Sequence, residues 1–105
     1  SADEGGYSYA ALSAGGQSVA RAGVWRLSVA VWEVSAVSTW TAFRRKGYSR
    51  RVVSFVTAYI LREGRLPTCS TLDDNHAMTA TALRVGFHQI PKEQVWWKYP
   101  DLPEF

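Results

Sequence analysis

A run of basic residues around Gly47 is the part of this sequence most suited to binding a ligand. The cations of the run are Arg44, Arg45, Lys46, Arg50 and Arg51. An apolar, β-branched stretch precedes them and an amphipathic stretch follows, which predicts a strand, a turn and then a helix. The first N–H groups of a helix have no internal partner and carry the positive end of the peptide dipoles. With the cations around them, these amides predict a binding site for phosphate groups.

Composition and charge narrow the classes of function. A chain of 105 residues, 47% of them hydrophobic, suits a single small domain with a packed core. The net charge of +3 is mild and the cations are clustered, which favours a compact anionic ligand over a nucleic acid. Cys69 is the only cysteine, so an internal disulfide is impossible and we expect a cytoplasmic protein. The sequence contains no signal peptide, no apolar run long enough to cross a membrane and no metal-ligand spacing.

Periodicity of the apolar residues predicts the element order β-β-β-α-β-α-β-β. The expected strands cover residues 7–12, 18–25, 26–39, 68–71, 87–90 and 94–99, with a loose end at residues 1–6 and a turn at 91–93. A bulge is expected at residues 35–38, where the alternation slips. The expected helices cover residues 50–63 and end at 85, each stopped by a glycine, Gly64 or Gly86. Asp73, Asp74 or Asn75 is expected to cap the second helix.

This element order determines the fold class. The early strands, joined by tight turns, should pair antiparallel, whereas the strand–helix–strand unit over residues 26–71 should form a parallel crossover. We therefore expect an α/β (α+β) domain over residues 1–105, with a mixed, mostly antiparallel sheet and two packed helices.

Two motifs then resemble a known family, the GNAT superfamily of acyl-CoA-dependent N-acetyltransferases. The first is a strand, then Arg/Gln-x-x-Gly-x-Gly/Ala, then a helix, which here is Arg44-Arg45-Lys46-Gly47-Tyr48-Ser49. The second is an Asn that opens a helix closed by Gly-Phe, here Asn75 and Gly86-Phe87. The stretch Pro67-Thr68-Cys69-Ser70 before Asn75 is similar to the FR47-like branch. The resemblance extends over most of the chain, roughly residues 26–99, and the short first motif gains weight from the second.

The resemblance implies that acetyl-CoA is the cosubstrate. It implies that the pyrophosphate is bound by Arg44, Arg45, Lys46, Gly47, Tyr48 and Ser49. It further implies that the pantetheine arm pairs with the strand near Val37 and Thr39, and that Asn75 contacts this arm. A backbone N–H of the same strand would polarise the thioester carbonyl.

Glu33 is the candidate general base for such a transfer. It lies in an otherwise apolar strand, and its offset before Arg44 resembles that of the catalytic Glu in the histone-acetyltransferase branch. Taking a proton from the attacking amine is the usual role of such a carboxylate. The alternative is that Glu33 occupies the solvent face of a half-buried strand.

The proton donor for the leaving thiolate is less well defined. Many members of the superfamily have a Tyr seven residues after the Asn, where this chain has Ala82. The residues that could replace it are Tyr48, Cys69, Ser70 and His76. Otherwise solvent supplies the proton, or the catalytic step is impaired.

The sequence departs from the superfamily at its start, because few residues precede Tyr7. Complete domains of the superfamily have a strand and one or two helices before the hairpin. The chain is then the C-terminal part of a larger enzyme, a short form that dimerises, or a degenerate domain. A bare sheet edge favours a homodimer or association with the missing N-terminal part.

The resemblance thus predicts acetyl transfer from acetyl-CoA to a primary amine, with no membrane association and no metal. Two other functions stay open. One is an acyl-CoA-binding or assembly module without turnover, and the other, weaker, is a small nucleic-acid binder that uses residues 44–51.

Overall fold

The computed structural model of the chain describes residues 7–44, 46–71, 75–90 and 95–98. The strands there are β1 (Tyr7–Ala14), β2 (Gln17–Arg26), β3 (Val31–Thr39), β4 (Leu66–Ser70), β5 (Phe87–Ile90) and β6 (Val95–Lys98). The helices are α1 (Tyr48–Arg62) and α2 (His76–Val85), and a 3-10 turn covers Thr41–Phe43. The order of these elements is the predicted β-β-β-α-β-α-β-β. Residues 1–6, the turn at 91–93 and both ends of the last predicted strand lie outside the described residues.

The strands form one mixed sheet in the order β1-β2-β3-β4-β6-β5. β1, β2 and β3 pair antiparallel, β3 and β4 pair parallel, and β6 lies antiparallel between β4 and β5. Because β-α-β crossovers are right-handed, α1 and α2 lie on the same face of the sheet, and they contact each other there. The predicted fold class is confirmed. Within the described residues, no helix is both long and apolar enough to cross a membrane.

The core lies between α1 and the central strands. Val52, Val53, Val56 and Ile60 are buried on the side of α1 that faces the sheet, which fits their helical spacing. Buried residues of the facing strands are small or β-branched, among them Ala20, Ala22, Val24 and Val34. Short side chains on β2 let the helix approach the sheet closely.

The predicted strand over residues 26–39 is wrong in its first part. Arg26 ends β2, and the chain reverses through residues 27–30 before β3 begins. The Ser28 hydroxyl accepts a hydrogen bond from the Val31 N–H at 3.0 Å, and the Ser28 N–H donates to the Val31 carbonyl at 3.1 Å. The β-branched residue that suggested a strand, Val29, is 79% exposed. The need to reverse direction between two antiparallel strands overrides its strand propensity.

The predicted bulge is confirmed. Arg21 pairs with Ser38 and Gly23 pairs with Ser35, so one residue of β2 faces two residues of β3. Helix α1 begins at Tyr48, two residues earlier than predicted. Its first hydrogen bond runs from the Arg51 N–H to the Gly47 carbonyl, so the chain enters the helix directly after the glycine.

Candidate functional site

The two parallel strands at the centre of the sheet separate after a short common stretch. Residues 31–33 of β3 pair with residues 66–68 of β4. Beyond Glu33, β3 continues along β2 as far as Thr39, whereas β4 continues beyond Thr68 along β6. The strands therefore diverge like a fork. Among the described residues, the pairing of β3 with β4 ends at Glu33 and Thr68.

The fork opens into a cleft of about 1180 Å³. Its walls come from β3, the turn that follows, the first turn of α1, the end of β4 and one side of α2. The lining includes eight residues predicted to hold the cosubstrate, namely Val37, Thr39, Arg44, Lys46, Gly47, Tyr48, Ser49 and Asn75. The ninth, Arg45, lies outside the described residues. The fold thus brings residues from three separate elements to one cavity.

The start of α1 leaves its amides open to this cleft. Gly47 precedes the helix with φ of 79°, a left-handed conformation that favours glycine. No side chain caps the helix, and its first turn contains no acidic residue. Among the described residues, the N–H groups of Tyr48, Ser49 and Arg50 therefore have neither a helical partner nor a side-chain cap, and an anion in the cleft would be a suitable acceptor.

Thr39, at the end of β3, forms hydrogen bonds with Arg44 in the turn and with Ser49 at the start of α1. Its carbonyl accepts a hydrogen bond from Arg44 Nε at 3.2 Å. Its hydroxyl is hydrogen-bonded to that of Ser49 in the first turn of α1. These bonds fix the turn against the strand. Ser49, which stands where the superfamily has Gly or Ala, thus has a structural partner that the sequence did not indicate.

The charged side chains in the described lining of the cleft are all positive. Arg44, Lys46 and Arg50 come from the turn and the first turn of α1, and Arg84 comes from α2. The described lining includes no Asp or Glu. Arg51 is exposed and does not belong to the lining. Sequence reasoning missed Arg84, because only the packing of α2 beside α1 brings it to the same cavity as the basic turn.

Asn75 stands at the start of α2 and lines the cleft. Its Oδ1 accepts a hydrogen bond from the Met78 N–H at 3.1 Å, so it is the N-cap that was expected among three candidates. Asp73 and Asp74 lie outside the described residues. The cap uses the side-chain oxygen and leaves the amide NH₂ of Asn75 free to donate to a ligand.

Glu33 lies at the point where β3 and β4 separate, opposite Thr68 on β4 and Trp25 on β2. The side chain of its neighbour Trp32 packs on Tyr59 of α1, so Glu33 faces the other side of the sheet. Glu33 is half-buried, which fits both a catalytic base and a residue on the solvent face of the strand.

Glu33 does not itself line the cleft but touches a residue that does. The Ser70 hydroxyl donates a hydrogen bond of 2.8 Å to Glu33 Oε1 across the fork. Sequence reasoning could not find this pair, because the two residues are far apart in the chain and meet through strand adjacency.

The four candidate proton donors differ in position. Tyr48 and Ser70 line the cleft, whereas His76 is exposed and does not. Burial, with a smaller contribution from the negative charge of Glu33, raises the pKa of the Cys69 thiol to about 12. Ala82, at the position of the missing Tyr, is fully buried. Cys69 and His76 are therefore poorly placed for the role.

Comparison with known proteins agrees with this geometry. The model of the FR47-like protein family matches residues 14–97, most of the chain. No curated protein matches the chain. Among solved structures, a GNAT-family protein from Novosphingobium aromaticivorans has a TM-score of 0.73 and 23% identity, covering 85% of this chain and 39% of its own.

Two further structures share the fold at lower identity. The ribosomal-protein-S18-alanine N-acetyltransferase from Escherichia coli has a TM-score of 0.70 and 16% identity, over 80% of this chain and 54% of its own. A GNAT family acetyltransferase from Elizabethkingia anophelis with acetyl-CoA bound has a TM-score of 0.72 and 8% identity, over 78% and 54%. The chain thus spans between 39% and 54% of the length of these three proteins.

The solved GNAT structures share the fold of this chain, and the match over residues 14–97 shows that the chain belongs to the FR47-like protein family.

Proposed function

We propose that this chain is an acetyl-CoA-dependent N-acetyltransferase that moves an acetyl group to a primary amine. The observation that carries the proposal is the fork between β3 and β4, which opens into the same cleft as the uncapped start of α1. A long ligand with a phosphate group at one end and an amide-containing arm matches these two features.

In this proposal the turn and the first turn of α1 bind the pyrophosphate, through Arg44, Arg45, Lys46, Gly47, Tyr48 and Ser49. The amides supply directed donors, and the cations supply charge. The arm extends beside Val37 and Thr39, where β3 has backbone groups that do not pair with β4. The amide of Asn75 donates to the arm from the facing wall.

The proposed chemistry begins with a neutral amine on the Glu33 side of the fork. Its nitrogen attacks the thioester carbonyl, a C–N bond forms and the C–S bond breaks. The proton of the amine passes to the Glu33 carboxylate, and the departing thiolate takes a proton from Ser70, Tyr48 or water. A backbone N–H of β3 stabilises the oxyanion between the two steps.

The binding part is tested by calorimetric titration of the chain with acetyl-CoA and desulfo-CoA, with a short oligonucleotide as control. We expect saturable binding of both CoA compounds and none of the oligonucleotide. Preference for the oligonucleotide, with steep salt dependence, would instead support the nucleic-acid alternative.

The catalytic part is tested with Glu33→Gln in a thiol-release assay over a panel of amines. Gln keeps an oxygen for the Ser70 hydroxyl but cannot take a proton, so we expect kcat to fall by about 10²- to 10⁴-fold with acetyl-CoA affinity unchanged. Glu63→Gln is the matched control, because Glu63 is an exposed carboxylate at the end of α1. An unchanged rate in Glu33→Gln at saturating substrates would exclude Glu33 as the base.

The second candidate function is acyl-CoA binding without turnover. Buried Ala82 in place of the usual Tyr favours it, and α2 contains no tyrosine. Binding of acetyl-CoA with no thiol release for any amine would support this function over the enzyme.

A partner for the sheet edge completes the proposal. β1 is at one end of the strand order and pairs only with β2 among the described strands. Such an edge exposes unpaired backbone groups, so we expect a homodimer or pairing with an N-terminal part. Light scattering after size-exclusion chromatography measures the mass of the chain in solution, and a monomer at micromolar concentration would exclude the homodimer.

A further inference from the structure

One cation of the cleft stands apart from the others. Arg44, Lys46 and Arg50 belong to one turn, whereas Arg84 lies on α2 and lines the same cavity. A pyrophosphate bound at the start of α1 would be served by the first group. The position of Arg84 therefore suits a second anionic group of the same ligand.

Apart from Met78 and Arg84, the cleft-facing side of α2 is built from small residues. Ala77, Ala80 and Thr81 line the cavity together with Arg84, and their spacing places them in one stripe along the helix. Arg84 is the only charged residue of this stripe. It lies about 10 Å along the helix axis from Ala77, with an open wall between them that a sugar or base could cover.

Arg84 has no partner in the part of the chain that the structure describes. Within the described residues, no hydrogen bond or ion pair engages its guanidinium, whereas Arg44, Arg26 and Arg65 each donate to a partner. The described lining offers no carboxylate to neutralise it. A free guanidinium facing an open cavity is suited to bidentate binding of a phosphate.

The simplest alternative is that Arg84 only complements the helix dipole, since it lies in the last turn of α2. The chain contains a direct comparison for this explanation. Arg62 lies in the last turn of α1, is likewise exposed, and does not line the cleft. A role limited to the helix end would make the two arginines equivalent, whereas a role in binding would separate them.

We propose that Arg84 forms a second phosphate subsite, which takes the 3′-phosphate on the ribose of CoA. This phosphate monoester carries negative charge beyond that of the pyrophosphate, and the ribose that bears it adjoins the pyrophosphate. The inference rests on the proposed CoA site. It adds that the chain distinguishes CoA from dephospho-CoA and that α2 provides the distinction.

The experiment is a set of calorimetric titrations with CoA and dephospho-CoA. The proteins are the unchanged chain, Arg84→Met, Arg84→Lys and Arg62→Met, each checked for its thermal unfolding midpoint. We expect the unchanged chain to bind CoA about tenfold more tightly than dephospho-CoA, as one charged phosphate contact would give. Arg84→Met should reduce this ratio to about one, Arg84→Lys should keep part of it, and Arg62→Met should keep all of it.

Equal affinity of the unchanged chain for both ligands would overturn the inference and leave the proposed function intact. A preference that survives Arg84→Met, or that is lost equally in Arg62→Met, would also overturn it. Failure of both ligands to bind would reject the CoA site itself, and the inference with it. Arg84→Lys guards against misfolding, because a conservative change that keeps the charge should keep the fold.

Discussion

The two helices of this chain begin in opposite ways, although each follows one of the two strands of the fork. Helix α2 is capped by Asn75, whose side-chain oxygen accepts from the Met78 N–H at 3.1 Å. Helix α1 follows Gly47 at φ of 79°, with no side-chain cap. One helix start thus satisfies part of its own backbone, and the other leaves its donors exposed.

The distribution of charge sharpens this contrast. Arg50 and Arg51 lie in the first turn of α1, the end at which a cation opposes the helix dipole by about 0.3–1 kcal/mol. Arg84 lies in the last turn of α2, where the dipole favours it. The missing cap and the two cations therefore both destabilise the start of α1. A bound anion would accept hydrogen bonds from the open N–H groups and would offset the unfavourable positive charge. This contrast is what we expect if the turn at Gly47 binds an anion, as proposed.

The largest expected effect comes from replacing the glycine that makes the open start possible. In Gly47→Val a β-branched residue is forced to a positive φ, which costs about 1–3 kcal/mol, or displaces the amides that would hold the phosphate. We expect the Kd for acetyl-CoA to rise at least about thirtyfold, the equivalent of 2 kcal/mol. Calorimetric titration measures it.

A second glycine of the same helix provides the matched control. Gly64, just beyond the end of α1, has φ of 72° and, like Gly47, open space where a Cβ would be added. It does not line the cleft. Gly64→Val should lose similar stability in urea denaturation but keep its affinity for acetyl-CoA. Equal affinity losses in both variants would mean that the contrast between the helix starts reflects stability alone.

Local sequence was sufficient to predict a helix start near Gly47 and another near Asn75, although α1 begins two residues before its predicted start. Gly47 after a strand and Asn75 before a helix each act through their own backbone and near neighbours, so residue type determines the outcome. The bulge of β3 was predictable for the same reason, because the alternation slips within a few residues. By contrast, Val29 and its neighbours were misassigned, since strand propensity does not show where two strands must reverse.

The parts that escaped prediction all depend on which elements become neighbours. Ser70 reaches Glu33 because β3 and β4 are adjacent and then diverge. Arg84 reaches the cleft because α2 follows a right-handed crossover onto the face that α1 occupies. No spacing in the sequence reports these distances. The position of the glycine turn at the start of a helix was therefore predictable, whereas the opposite wall was predicted only at Asn75.

A smaller effect is expected at the capped helix start. Asn75→Ala removes the acceptor for the Met78 N–H and should lower the free energy of unfolding by about 1 kcal/mol. Asn75→Ser restores a capping oxygen but lacks the amide donors, so it should recover stability while leaving affinity for acetyl-CoA about threefold to fivefold weaker, as for one neutral hydrogen bond. Urea denaturation and calorimetry separate the two roles. If Asn75→Ser binds as tightly as the unchanged chain, the side chain is only a cap.

The smallest effect is expected at Ser49, where a side chain partly compensates for the missing cap of α1. Its hydroxyl bonds that of Thr39 and so attaches the first turn of the helix to the end of β3. Ser49→Ala removes one hydrogen bond between half-buried groups, so we expect about 0.5–1.5 kcal/mol of lost stability. The Kd for acetyl-CoA should rise about twofold to threefold, because the amides stay in place but are less firmly oriented.

Thr39→Val removes the same bond from the other side, and the double variant should lose little more than either single one, since both changes delete one interaction. Additive losses in urea denaturation would show that the two hydroxyls act separately. The open helix start would then be held by Gly47 and the Arg44 contact to the Thr39 carbonyl.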